Sequence, residues 1–231
     1  TELLEQMQSR VPQMVEHLRD FVNLESPSLD TNHLQRTANF VAELLEKVTG
    51  KAAQIIPSAN GPHVHWKGSD DTKVLIVGHH DTVFPLGTTA TRPFSIDGDI
   101  ARGPGVFDMK AGIVQAIYGL SAIHDSSRVE VLITADEEVG SETSRELIEA
   151  RARATGAVLV LEPSADGGAL KIARKGVGTF TVHIAGRASH AGLEPEKGVN
   201  ALIELSAQVQ RIVAMARPEL GTTVTPTVAT A

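Results

Sequence analysis

Three short apolar runs constrain this chain more than any other feature: "KVLIVGH" at 73–79, "VEVLITAD" at 129–136 and "AVLVLEP" at 157–163. Each is rich in β-branched residues and strand-sized, far below the roughly 20 apolar residues that a membrane-spanning helix needs. Unbroken apolar runs of this length suit strands covered on both faces. Amphipathic helical patterns separate them. Strands alternating with helices predict an α/β fold, a mixed, largely parallel sheet flanked by helices and joined by right-handed crossovers.

The helical segments follow from spacing. Residues 3–22 form one helix kinked at Pro12. Residues 31–48 form another, with Leu34, Ala38, Val41, Leu44, Leu45 and Val48 on one face and Gly50 as its stop. Residues 109–124 form a third, whose Ala111, Gly112, Ala116 and Gly119 allow close approach to a sheet. "SETSRELIEARA" forms a fourth, capped by Ser141 or Thr143. "AAQIIP" and "HVHW" are short strands, with His63 and His65 on one face as solvated positions. Near residue 176 the character changes. "GVGTFTVHIAG" alternates like a half-exposed antiparallel strand, "GVNALIELSAQVQRIVAMA" is an amphipathic helix, and "GTTVTPTVATA" begins another strand. The expected division is an α/β body over 1–176 and a smaller α+β layer over 177–231.

Composition removes several functions. The 231 residues carry a net charge of −7, and the basic residues do not cluster, which argues against nucleic acid or an anionic membrane as partner. There is no cysteine, so disulfides and thiolate metal sites are excluded. Any metal must be held by His, Asp, Glu or water. "RGPGVFDMKAG" has neither the Lys-Ser/Thr of a P-loop nor the spacing of a dinucleotide fingerprint.

In open α/β sheets, ligands bind beyond the carboxyl ends of the strands. The three runs end in His79-His80-Asp81, Asp136-Glu137-Glu138 and Glu162-Pro163, and Asp108 follows the Gly-rich loop. Taken singly, "DEE" can be a solvated turn, Asp108 a helix cap and Glu162 a strand end. Together they would place several carboxylates in one pocket, where mutual repulsion demands protons or cations. An Asp/Glu/His set without Cys suits a two-metal hydrolytic site. The strand period puts His79 and Asp81 on one face and His80 on the other.

These motifs, "GHHDTV", "ARGPGVFDMKAG", "TADEEVGS", "VLEP" and "GRASHAG", resemble in combination and order those of the M20 family of metallopeptidases and deacylases. The wording of "PFSIDGDIARGPG" and "GRASHAGLEPEKGVNAL" is most similar to its glutamate carboxypeptidases. The resemblance implies a zinc-exopeptidase-like catalytic domain over 1–176 and the start of a lid and dimerisation domain over 177–231. It implies His79, Asp108, Glu138 and Glu162 as ligands of two divalent ions, most commonly zinc, with cobalt or manganese as alternatives. Asp108 would bridge the ions and be joined to Met109 by a cis peptide, although many members have Asp where Met109 stands. Asp81 would orient His79. Glu137 would be the general base in hydrolysis of an amide bond through a water between the ions, releasing an amino acid. His190 would reach the active site of the partner subunit in a homodimer. Arg174 and Lys175 could meet the free carboxylate of a small-molecule or peptide substrate.

The family takes one further metal histidine, and its substrate-carboxylate residues, from beyond the lid. The chain ends inside the lid pattern, so it is expected to be a piece of a longer protein. The alternative is a metal-binding module without turnover. The opening "TELLEQMQSR" is acidic and amphipathic, unlike a signal peptide. A cytoplasmic location is the expectation, or a periplasmic or secreted one if a leader has been removed.

Overall fold

The structure, a computed structural model, describes residues 2–230. It divides into two compact units, Thr1–Lys171 and Ile172–Ala231. Among the described residues no helix is long and apolar enough to cross a membrane.

The first unit holds helices α1 (Glu2–Ser9), α2 (Val11–Asn23), α3 (Thr31–Thr49), α4 (Thr88–Thr91), α5 (Ala111–Ala122) and α6 (Arg145–Ala154). Its strands are β1 (Gln54–Ile56), β2 (His63–Lys67), β3 (Val74–His79), β4 (Ser95–Asp97), β5 (Ile100–Arg102), β6 (Val129–Thr134) and β7 (Ala157–Val160). The main sheet runs β1-β2-β6-β3-β7; β4 and β5 form a separate hairpin. β6, β3 and β7 are parallel, whereas β2 runs antiparallel to both β1 and β6. The expected mixed, largely parallel sheet is therefore present.

Strand period two sorts the core into two layers. Ile76, Val131 and Ile133 face Phe21, Val41, Leu45, Ile113 and Ile117 of α2, α3 and α5. Leu75, Val77 and Leu132 face Leu147, Ile148 and Ala152 of α6. The α6 layer is pinned by a buried charge. Glu130 on β6 accepts hydrogen bonds from Arg151 Nη2 at 2.6 Å and Thr72 Oγ1 at 2.8 Å, with His65 Nε2 2.6 Å away. Burial works to raise the Glu130 pKa, but the Arg151, His65 and Thr72 contacts outweigh it and hold it down to about 2.

Several local expectations change in detail. Residues 3–22 are two helices, because the chain breaks at Arg10 and Pro12 opens the second. α3 is capped by the Asp30 side chain accepting from the His33 amide and stopped by Gly50 at φ 75°. Ser141 and Thr143 do not cap α6. Ser141 sits at φ 57°, and the Thr143 hydroxyl donates to Asp136. His63 and His65 are not solvated: the chain after β6 contacts both ring nitrogens of His63, which is 1% exposed, and His65 sits on Glu130. β7 is not buried on both faces. It forms an edge of the sheet, paired only with β3, and Val158, Leu159 and Val160 are exposed.

The second unit contains α7 (Ala201–Val213), capped by Asn200 accepting from the amides of Leu202 and Ile203. The strands expected at 176–186 and 221–231 do not form among the described residues. Their bridges are isolated, Arg187 with Val199 and Arg217 with Thr222. A strand with one apolar face is stabilised only when that face is covered, and Val177 and Phe180 are exposed.

Of the small residues on α5, Gly112 is the one that close packing requires. A Cβ there would lie 2.4 Å from the Leu161 carbonyl oxygen, a backbone atom that cannot swing aside. This approach sets where the chain leaves β7, one residue before Glu162. Gly112→Ala is expected to destabilise the fold by about 1–3 kcal/mol, as overpacking does. Urea unfolding measures it, and an unchanged midpoint would show that the contact relaxes freely.

Candidate metal centre

The site is built where β3, β6 and β7 end. In register, His79 lies opposite Thr134, and Val77 lies opposite Val160. The residues that follow each strand therefore emerge at one edge. β3 supplies His79 and then Asp81, β6 leads into Glu137 and Glu138, and β7 leads through Leu161 to Glu162. Asp108 comes from the turn before α5, in a segment where Asp108 and Met109 leave helical geometry and the peptide between them is cis. The turn is anchored from behind. The buried Lys110 Nζ donates to the Phe21 carbonyl at 3.0 Å and lies over the Phe21 ring. Gly105, at φ 69°, brings this loop against β3's end; a Cβ there would meet Thr82 Cγ2 at 2.7 Å.

His79 is at the centre and only 1% exposed. Its Nδ1 lies 3.0 Å from the Asp81 carbonyl oxygen and 3.3 Å from Asp81 Oδ1. Both partners are acceptors, so Nδ1 carries a proton and Nε2 faces outward. Nε2 lies 3.0 Å from Asp108 Oδ1, 3.5 Å from Glu162 Oε1 and 4.0 Å from Glu137 Oε2. Two sets of donors, His79/Asp108/Glu138 and His79/Glu137/Glu162, each gather their ligand atoms within 4.8 Å of one another.

Asp81 holds this arrangement together. Its Oδ1 accepts from the Glu137 amide at 3.2 Å. Its Oδ2 accepts from the Glu138 amide at 3.2 Å and from Ser28 Oγ at 2.8 Å. Burial would raise the Asp81 pKa, but the His79 contact and charge, then Ser28 and His80, outweigh it, so the group stays ionised.

The electrostatics follow from this crowding of carboxylates around one imidazole. Burial raises the pKa of Glu137; His79 opposes this, and the charges of Glu162, Asp81 and Asp108 add to it. Glu138 is raised in the same way. Burial alone would lower the His79 pKa, yet hydrogen bonds to Asp81 and Glu162 and the charges of Asp81 and Glu137 lift it to about 11. The cluster thus draws in positive charge, and without a cation a proton takes the place on Nε2. The donor set fits hard or borderline divalent ions: carboxylate oxygens and one imidazole whose other nitrogen is held by a carboxylate.

His80, on the opposite face, is not part of the cluster. It is fully buried, with Nδ1 2.8 Å from Thr37 Oγ1 and Nε2 3.0 Å from the Pro62 carbonyl, and its burial lowers its pKa to about 4. It stays neutral and ties β3 to α3. His190 lies in the second unit, exposed, with Nδ1 accepting from the amides of Gly192 and Leu193 at 3.1 and 3.2 Å. Lys175, also in that unit, donates to the Gly221 carbonyl at 2.7 Å, and Arg174 is exposed. Sequence reasoning missed Ser28 and Lys110. Ser28 sits in "SPSLD", which reads only as a helix breaker, and its partner is 53 residues away.

The fold is an α/β sheet with an acidic, histidine-centred cluster at the carboxyl edge of its parallel strands. Comparison narrows it further. Residues 75–229 match peptidase family M20/M25/M40, and the chain belongs to that family. It is 34% identical over 211 residues to carboxypeptidase G2 of Pseudomonas sp. (strain RS-16), covering 87% of this chain and 51% of that protein. The chain therefore spans about half the length of that relative. The fold is similar to the di-peptidase Dug1p of Saccharomyces cerevisiae, with TM-score 0.54 and 20% identity, over 68% of this chain and 40% of that one. It is also similar to an M20 family metallo-carboxypeptidase of Sulfolobus solfataricus, with TM-score 0.53 and 20% identity, over 69% and 38%.

If His79 is the ligand, a cation must displace its proton. Metal binding near pH 7 is therefore expected to release protons, and affinity to rise with pH across the neutral range. Calorimetric titration with zinc in buffers of different ionisation enthalpy reads this directly. Identical heats in all buffers would exclude His79 as the group displaced.

Proposed function

We propose that this chain carries the metal centre of a hydrolase that cleaves an amide bond to release an amino acid, of carboxypeptidase or N-acyl-amino-acid deacylase type. The observation that supports it most is the orientation of His79. With Nδ1 committed to Asp81, Nε2 faces the carboxylates of Asp108, Glu137 and Glu162, where a cation would displace its proton.

In this reading His79, Asp108, Glu138 and Glu162 would hold two divalent ions, zinc first and cobalt or manganese as alternatives. When bound, the ions supply Lewis acidity toward the amide carbonyl and a nucleophile at neutral pH. The chain's own residues do the remaining work. Asp81 fixes the ring of His79 and, through two amide hydrogen bonds, the direction in which Glu137 and Glu138 leave β6. Glu137 is half-exposed, and its raised pKa suits a carboxylate that accepts a proton on one side and passes it to the leaving amine on the other. His190, whose Nδ1 is occupied by two amides, keeps Nε2–H to donate to the developing oxyanion in the partner subunit's site of a homodimer. The substrate is a small molecule or peptide with a free carboxylate; the similarity to carboxypeptidase G2 favours a C-terminal glutamate.

Assay with acyl-glutamate and acyl-ornithine substrates tests this reading. Glu137→Gln is expected to lower turnover by about 10²–10⁴-fold, the range of a lost general base, while metal content stays unchanged. A loaded protein that turns over neither substrate supports a metal-binding module instead.

A further inference from the structure

Glu137 and Glu138 follow β6 in a tight loop whose shape decides where both carboxylates sit. From the metal side, the loop is held by Asp81 through the amides of Glu137 and Glu138. Within itself it is closed by the Gly140 amide on the Glu137 carbonyl at 2.9 Å and by the Ser141 amide on the Asp136 carbonyl at 2.8 Å. The far side is held by groups that the metal chemistry does not use.

The buried side chain of His63, on β2, reaches across to this loop. Its Nδ1 accepts the Ala135 amide at 3.2 Å. That nitrogen must carry a lone pair, so in the neutral ring the proton is on Nε2. Nε2 lies 3.3 Å from Thr143 Oγ1, which in turn donates to Asp136 Oδ2 at 2.7 Å. The Thr143 amide donates to the same oxygen, also at 2.7 Å. Nε2–H thus points to the Thr143 hydroxyl and the hydroxyl donates to Asp136, with Ser58 Oγ also 2.9 Å from the Thr143 oxygen. The path joins a strand to both ends of the loop, residues 135–136 and residue 143. Burial lowers the His63 pKa, in keeping with the neutral ring that this pattern requires.

We propose that Thr143, seated between His63 and Asp136, is a positioning residue for Glu137 and Glu138. It clamps the back of the loop whose front is clamped by Asp81. The proposal rests on the assignment of Glu138 as a ligand only for its effect on metal binding; the effect on the loop itself does not need a metal.

The test is Thr143→Val, which keeps the side-chain shape and removes the hydroxyl, beside Thr143→Ser, which restores it. The first readout is hydrogen exchange of the Glu137 and Glu138 amides in metal-free protein, referenced to the Leu132 amide in the strand core. Thr143→Val is expected to accelerate exchange of the two amides about tenfold relative to Leu132, and Thr143→Ser to leave it near wild type. The second readout is zinc affinity, expected to fall about 10–100-fold in Thr143→Val, as for other residues that support ligands, and to recover in Thr143→Ser. Unchanged loop exchange in Thr143→Val, or equal losses in both variants, would overturn the proposal. Wild-type protein that binds no zinc would instead overturn the functional reading, and the exchange data would still decide the role of Thr143.

Discussion

The buried carboxylate of Asp81 is the interaction on which the rest of the site depends. It touches the His79 ring, the Ser28 hydroxyl and the amides of Glu137 and Glu138. These contacts join the end of β3, the loop before α3 and the loop after β6. A buried carboxylate satisfied by charge-assisted hydrogen bonds is stable; one that loses its partners carries a desolvation penalty. Asp81 therefore acts as a local organiser. It fixes which nitrogen of His79 faces out and brings Glu137 and Glu138 up beside it.

The cost of this organisation is a concentration of negative charge. Asp108, Glu137, Glu138 and Glu162 surround a single imidazole, and in the free protein the balance is struck by raised pKa values on Glu137, Glu138 and His79. A cation relieves all of these at once. The fold solves the problem differently elsewhere: Glu130, fully buried, is matched by Arg151, Thr72 and His65 and needs no ion. The two acidic sites on this sheet thus differ in whether the chain supplies their countercharge.

Much of this was legible in the sequence. The apolar runs at 74–79 and 129–134 announced buried parallel strands, and period two separated His79 and Asp81 from His80. The carboxyl-edge rule collected Asp108, Glu137, Glu138 and Glu162 around them. Other parts were not legible, for physical reasons. A run such as 157–160 reads the same at a sheet edge as in its middle, so the exposure of β7 could not be seen. His63 looks like any polar strand residue until its strand is known to lie between two others and its partner Thr143 is found 80 residues later. Alternation at 176–186 predicts a strand only when another strand covers its apolar face, and local pattern carries no information on that cover.

The central claim is that His79 Nε2 coordinates a cation together with Asp108 and the glutamates that follow β6 and β7. Anomalous diffraction from crystals grown with zinc tests it most directly. The account predicts a zinc peak about 2.0–2.1 Å from His79 Nε2, bounded by the carboxylates of Asp108 and Glu138 or Glu162. Crystals with zinc in excess that show no peak at this nitrogen, or zinc bound only elsewhere, would contradict it.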